Sequence, residues 1–412
     1  MFAFVARQPI LDTEKEVFAY ELQFRNGRKN CFPATETQQA TSAQPRDSML
    51  GLDDISCQKP AFINFEHETL MTGLPSSMDP QKVVVEVEEN EAPHAALIDA
   101  CKSIRNMGFQ IAIDDPHLEA GFSDFLPFID VVKVDISKQK SSQIAQKIPG
   151  LKSANVKLVA EQVENQSDFI NCVDLGFDYF QGYFFSKPEN LTHKAIPASK
   201  MSLVELIGES SNVTFDVEKI NEIIERDAAL SYMLLRFINN PMVNKRYKIT
   251  SLKHALNYMG EVEIKKFIAL LALANLSDDK PLELLHLSLV RAKFCDLLAH
   301  ERRVGDNPPT GFMVGLFSLL DALMDQSMQE VVAQMPIVDE VKFALCGGQN
   351  DYALYLMLVR AFESATWIKV KKLADLLEMD QKRLHALFNQ SILWGNGVRQ
   401  SISPHFPKPR IN

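Results

Sequence analysis

The sequence predicts a mostly parallel α/β sheet or barrel followed by an all-helical region. Three observations carry that expectation. Strand-sized apolar runs alternate with helical patterns up to about Pro188. Polar and acidic residues recur where those runs end. From about Ser202 onward the apolar spacing is helical.

The runs are Phe2–Ala6, Phe18–Phe24, Ala61–Phe65, Val83–Val87, Gln110–Ile113, Val131–Ile136, Lys157–Ala160 and Tyr179–Phe185. They are rich in Val, Ile, Phe and Tyr and short enough for strands. Val83–Val85 and Val131–Val132 barely alternate, as expected of strands buried on both faces. Helical patterns lie between several of them, among them Ala95–Met107 and Asp168–Leu175, the latter closed by Gly176.

In the second half Asp216 can cap a helix running through Ile220, Ile223 and Ile224. Ser251 can cap one that ends at Gly260. Helices are expected over Glu261–Leu276, Leu282–His300, Gly311–Met324 and Met328–Met335. The domain expectation is a barrel over 1–190, a linker over 191–201 with Pro197 inside it, and helices over 202–412. Lys372–Phe388 carries two short helical patterns. Packed terminal helices suit it better than a DNA-reading pair, because the chain is acidic.

The 412 residues carry a formal net charge of −10. General affinity for nucleic acid or an anionic membrane needs the opposite sign, so neither is an expected partner. Cys31, Cys57, Cys101, Cys172, Cys295 and Cys346 form no CxxC pair, which suits reduced thiols and a cytoplasmic location. The longest apolar stretch, near Phe267–Leu276, is too short to span a bilayer, and a soluble protein is expected.

The chemistry is expected where the strands end. Glu21, Asn64, Glu86, Asp114, Asp115, Lys133, Asp135, Glu161, Glu164 and Gln181 all fall at or near those ends. In a parallel barrel they converge on one face. One acidic residue after a strand is usually a cap or a solvated charge. Recurrence on many strands points instead to a site for hard divalent cations, which take oxygen ligands. Pattern alone stops there, at a metal-dependent barrel enzyme of unstated substrate.

The same residues resemble the EAL family. Gln8-Pro9-Ile10 resembles its opening strand, and Tyr20-Glu21-Leu22-Gln23-Phe24-Arg25 stands where the signature E-A-L-L-R falls. Ile63-Asn64-Phe65, Val85-Glu86-Val87-Glu88-Glu89 and Ile113-Asp114-Asp115 resemble V-N-[LIV], L-E-[IL]-T-E and L-D-D. Val132-Lys133-Val134-Asp135, Ala160-Glu161-Gln162-Val163-Glu164 and Gln181-Gly182-Tyr183-Phe184 resemble L-K-I-D, A-E-G-V-E and Q-G-Y-x. The match runs in order over about residues 1–190.

The resemblance implies a modified TIM barrel with one antiparallel strand. It implies hydrolysis of cyclic di-GMP to pGpG with two Mg²⁺ or Mn²⁺ ions, in bacterial second-messenger signalling of the kind that controls biofilm and motility. Glu21, Asn64, Glu86 and Asp114 resemble metal ligands, with Asp115 helping to hold the second ion. Glu161 resembles the general base, and Lys133 the group that steadies the water or phosphate. Gln8 and Arg25 resemble substrate contacts, and Gln181 a support for the bound water and metals. Glu89, Glu164 and Asp135 resemble supporting residues.

The chain also departs from the pattern. Leu22 and Gln23 replace the signature's Ala and Leu. Pro116–Phe125 replaces a glycine-rich loop, and His117 within it reads as an exposed loop histidine. These departures keep a second reading open: a catalytically inactive regulator that binds cyclic di-GMP or only a protein.

The second half resembles an HDOD domain, a relative of HD phosphohydrolases without their catalytic pairs. Asp227-Ala228-Ala229-Leu230 with Asn239, and Ser251-Leu252 through Gly260, carry the likeness. Gly315-Leu316-Phe317-Ser318-Leu319 stands where an active relative has G-L-L-H-D, so Ser318 and Leu319 replace the ligand pair. The resemblance implies an unidentified protein partner for this half. His254, His286 and His300 then read as surface or core histidines. Dimerisation is common in the family, and a homodimer is the matching expectation.

Overall fold

The computed structural model describes residues 5–24, 51–65, 67–71, 78–87, 95–114, 126–189, 201–214, 216–226, 228–239, 248–276, 280–305 and 307–402. The chain divides into two compact units. One is Met1–Phe185 with Ala361–Ile368; the other is Ser186–Arg360 with Lys369–Asn412.

The first unit is a closed barrel of eight strands in sequence order. They are β1 (Val5–Leu11), β2 (Val17–Phe24), β3 (Ala61–Phe65), β4 (Val83–Val87), β5 (Gln110–Asp114), β6 (Val131–Asp135), β7 (Lys157–Glu161) and β8 (Tyr179–Gln181). The strand β1 runs antiparallel to both β2 and β8, and the other ladders are parallel. Short helices α1 (Leu52–Ser56) and α2 (His67–Met71) and longer ones α3 (Ala95–Asn106), α4 (Ser141–Ser153) and α5 (Gln166–Leu175) lie between strands. The helix α5 begins two residues earlier than Asp168, at Gln166: the Asn165 side chain caps it by accepting from the Asp168 N–H. Gly176, at φ 94°, closes it in the left-handed region.

Two strands differ from their expected bounds by more than one residue. The first is expected over Phe2–Ala6, of which residues 2–4 lie outside the described residues; the described strand is Val5–Leu11, running through the polar Gln8 and through Pro9. Pairing with β2 decides this, since Gln8 sits opposite Glu21 and Pro9 opposite Tyr20. The last strand stops at Gln181 instead of reaching Phe185. Gly182 takes φ 150°, and a Cβ there would lie 2.0 Å from the Val163 carbonyl oxygen. The chain turns at that point: Val163 N–H donates to Gln181 O, and Phe184 N–H donates back to Val163 O.

A layer of small and branched side chains fills the barrel. Ile10, Ala19, Phe62, Val84, Ala112, Val131 and Val159 are buried together, with Tyr179 packed against them. Each strand contributes one residue to this layer, as barrel interiors are built.

The second unit is helical. It contains α6 (Met201–Ser211), α7 (Val217–Glu225), α8 (Ala228–Ile238), α9 (Leu252–Met259), α10 (Glu261–Leu276), α11 (Leu282–Glu301), α12 (Thr310–Leu316), α13 (Leu320–Met324), α14 (Met328–Gln334) and α15 (Asp339–Leu345). Beyond them run α16 (Asp351–Glu363), α17 (Trp367–Leu376) and α18 (Gln381–Ile402). The helix α11 is buried on nearly all sides, with α12 and α18 against it. Gly311 and Gly315 let α12 approach closely: a Cβ on Gly315 would meet the Arg291 carbonyl at 2.3 Å. The expected single helix over Gly311–Met324 is broken at Phe317–Leu319. There Ser318 Oγ is 3.2 Å from the Arg291 guanidinium of α11, and Leu319 is buried.

Asp216 caps α7 through the Lys219 N–H, and Ser251 Oγ accepts from His254 N–H at the start of α9. Asn239 bonds like a piece of sheet to Ile249, donating to its carbonyl at 2.8 Å and accepting from its N–H at 2.7 Å. It also donates to Leu235 O at 2.7 Å, so one amide ties the end of α8 to the segment before α9. His286 is fully buried, while His254 and His300 are exposed. The residues of α18 from Leu384 to Phe388 include three apolar side chains buried in the unit. Cys101, Cys172 and Cys295 are buried free thiols. No helix among the described residues is long and apolar enough to cross a membrane.

Candidate active site at the carboxyl ends of the strands

The site sits one pleat above the apolar layer. Side chains alternate along a strand, so residue i+2 faces the same way as residue i. From the layer, Ala19 leads to Glu21, Phe62 to Asn64, Val84 to Glu86, Ala112 to Asp114, Val131 to Lys133 and Val159 to Glu161. Tyr179 leads to Gln181 in the same way. On antiparallel β1 the step runs backwards, from Ile10 to Gln8. One hydrophobic ring thus aims eight polar side chains at the same end of the barrel.

Lys133 stands at the centre and is 1% exposed. Its Nζ lies 2.8 Å from Glu161 Oε1, 3.1 Å from Glu21 Oε2 and 3.3 Å from Asp114 Oδ1, and it is paired with Glu86. Gln181 Nε2 donates to Gln8 Oε1 at 3.0 Å and to Glu21 Oε2. Gln23 Nε2 donates to Glu21 Oε1 at 3.1 Å and lies 3.5 Å from Gln8 Oε1.

Four carboxylates thus face one ammonium. Carboxylate oxygens of Glu21, Glu86 and Glu161 all lie within 4.8 Å of one another. At about 4 Å and an effective dielectric near 20, two like charges repel by about 4 kcal/mol. One lysine does not balance four such groups, and the excess appears as displaced pKa values. Burial first, and then Asp114 beside it, pushes the Glu86 carboxyl well above the usual carboxylate range, against the pull of Lys133. Burial raises Glu161 to about 7, with Asp114 and Glu21 adding to it and Lys133 opposing. Burial would also raise Asp114, but Lys133 and a hydrogen bond with Glu86 outweigh it and hold Asp114 low. Burial would lower Lys133; the carboxylates, Glu161 foremost, hold it well above the ordinary lysine value.

The donor set fits a hard cation. Among the described residues, Asn64 Oδ1, Glu86 Oε2 and Gln181 Oε1 are buried acceptors without a hydrogen-bond partner. Unsatisfied buried acceptors are costly unless something completes them. An all-oxygen set of carboxylates and amide carbonyls is the coordination chemistry of Mg²⁺ and Mn²⁺.

Not every expected residue joins the cluster. Asp135 turns to the next turn of chain, accepting from Ser137 N–H at 3.0 Å and Ser137 Oγ at 2.6 Å and pairing with Lys138 at 3.0 Å. Its carboxyl is held low, because the Ser137 and Lys138 contacts overcome burial. Glu164 is exposed on the loop entering α5, where its N–H donates to Asp168. Arg25, Glu89, Asp115 and the loop 116–125 with His117 lie outside the described residues. The sequence marked Gln23 as a departure from the family signature but did not pair it with Glu21. Its position two residues along the same strand was the available signal.

The fold and this cluster define an acidic-site α/β barrel joined to a helical domain. Family models match as EAL domain over residues 51–188 and as HDOD domain over residues 196–336. The chain is 33% identical over 405 residues to uncharacterized protein YuxH of Bacillus subtilis, covering 96% of this chain and 98% of that one. It is 32% identical over 404 residues to cyclic di-GMP phosphodiesterase CdgJ of Vibrio cholerae, covering 97% and 94%. An EAL domain protein of Listeria monocytogenes aligns with a TM-score of 0.35 at 19% identity, over 44% of this chain and 86% of that one. The chain belongs to the family of proteins that join an EAL domain to an HDOD domain.

Proposed function

We propose that the protein is a cyclic-di-GMP phosphodiesterase that hydrolyses its substrate to pGpG with the aid of two Mg²⁺ or Mn²⁺ ions. One observation carries this reading: four carboxylates gathered around Lys133, with the buried amide oxygens of Asn64 and Gln181 left unsatisfied at the same end of the barrel among the described residues. The relative from Vibrio cholerae, named for this activity and similar over nearly its whole length, supports the substrate.

Glu21, Asn64, Glu86 and Asp114 would hold the ions, with Asp115 as the second ion's ligand. Bound there, such ions would neutralise phosphoryl charge and would lower the pKa of a coordinated water. The protein supplies the rest. Glu161, beside Lys133 at the rim of this set, would accept the proton of the attacking water. Lys133 places a fixed positive charge beside that proton acceptor, where it can steady the attacking oxygen or the phosphate. Gln8 has amide hydrogens to offer a substrate, and Arg25 would add a planar fork for phosphate. The helical half would serve as the surface for a protein partner.

The test is to incubate the purified full chain with cyclic di-GMP and Mn²⁺ and follow pGpG, beside Glu21→Ala. Product from the wild type and a loss of at least about a hundredfold in the variant are expected. Tight binding of cyclic di-GMP without product would replace the enzyme by a regulator. Neither binding nor product would leave the barrel a scaffold.

A further inference from the structure

Gln23 is half-buried on the same face of β2 as Glu21, in a place where the family signature carries leucine. Its contacts impose a definite polarity on the site. The Glu21 carboxylate can only accept hydrogen bonds. Both amides that reach it must therefore present nitrogen: Gln23 to Oε1 at 3.1 Å, and Gln181 to Oε2. Each amide nitrogen keeps a second hydrogen. Gln181 directs one to Gln8 Oε1 at 3.0 Å, and Gln23 Nε2 lies 3.5 Å from the same atom. Gln8 must then turn its oxygen inward, and its own NH₂ group remains for a ligand.

Strand register explains why the three glutamines meet. Gln8 is opposite Glu21 on the β1–β2 ladder, and Gln23 is one inward-facing step further along β2. Gln181 approaches from β8, the other neighbour of β1. A leucine at position 23 would leave Glu21 Oε1 without that donor and would weaken the constraint on Gln8.

We propose that Gln23 is a positioning residue: it fixes the Glu21 carboxylate for metal binding and sets which end of the Gln8 amide faces the substrate. This rests on the function proposed above, and its test is built to separate the two. Gln23→Met keeps length and bulk and removes only the donor. In the full chain, Mn²⁺ affinity measured by electron paramagnetic resonance should weaken about three- to tenfold, in line with loss of one charge-assisted hydrogen bond. KM for cyclic di-GMP should rise while kcat changes less. In metal-free protein, Gln8→Ala combined with Gln23→Met should lower Tm by less than the sum of the single changes, because the two side chains act together. Unchanged Mn²⁺ affinity in Gln23→Met, or additive Tm losses in the double variant, would overturn the proposal. A wild type that binds no Mn²⁺ would overturn the phosphodiesterase reading instead, and the metal-free Tm comparison alone would then decide for or against Gln23.

Discussion

Lys133 Nζ and Glu161 Oε1 lie 2.8 Å apart on neighbouring strands, each two residues beyond a core valine. The pair is the electrostatic centre of the barrel. The same ammonium reaches three further carboxylates, so it does part of the neutralising that divalent cations would otherwise do alone.

Removing that ammonium should therefore be felt twice. Lys133→Met is expected to destabilise the metal-free protein by about 3–5 kcal/mol at pH 7, the range for breaking a buried ion pair from one side. Mn²⁺ should restore part of the loss, because it supplies positive charge to the same carboxylates. Turnover should fall about 10²- to 10³-fold. Chemical denaturation with and without Mn²⁺ checks the first part. An equal deficit in both conditions would contradict it.

The pKa of Glu161 sets a pH dependence for metal-free stability. The carboxyl stands at about 7 in the folded chain against 4.5 as its ordinary value. Below about 4.5 both states hold the proton. Between 4.5 and 7 the folded state binds more protons than the unfolded one, so stability from this group falls as pH rises. Above about 7 the penalty is complete. Glu161→Gln should flatten the fall across that window. Denaturation midpoints in EDTA from pH 4.5 to 7.5 read it directly, and parallel profiles for variant and wild type would refute the assignment.

Gly182 fixes the end of β8 and with it Gln181. A Cβ there meets the Val163 carbonyl at 2.0 Å while φ is 150°. Gly182→Ala should destabilise by about 2–4 kcal/mol through backbone strain. It should also weaken Mn²⁺ binding, because the Gln181 contact to Glu21 moves. Thermal unfolding and Mn²⁺ titration of the same sample test both effects, and a variant indistinguishable from wild type would show that the turn can relax.

In the helical unit Arg399 and Glu283 form an ion pair at 3.2 Å with Glu283 2% exposed. Arg399→Met removes one partner of a buried carboxylate and should reduce stability by about 1–3 kcal/mol. Adding Glu283→Gln should recover part of it. Failure of the second change to help would show that the pair is not what holds this helix crossing.

The barrel was legible because both-face burial leaves its strands as short apolar runs, and because Glu86 and Asp114 follow such runs directly. The first strand's far bound was missed because polar Gln8 and Pro9 interrupt its apolar residues, and they enter the sheet through pairing with β2. The break at Phe317–Leu319 was invisible to helical spacing, because apolar residues run through it on both sides of Ser318 and Phe317, Ser318 and Leu319 are all buried.

The sequence by itself determined the order of barrel and helices, the recurrence of polar residues at strand ends and the caps at Asp216 and Ser251, since each depends on local periodicity or a single side chain. The tertiary structure alone decided which polar residues share one site. Asp135 and Glu161 are opposite one another in the β6–β7 register, yet one carboxyl turns to Ser137 and the other to Lys133. It also decided that Gln23 belongs to the site. That contact arises where an antiparallel strand brings Gln8 between two amides and one carboxylate, and no linear spacing encodes which strands become neighbours when a barrel closes.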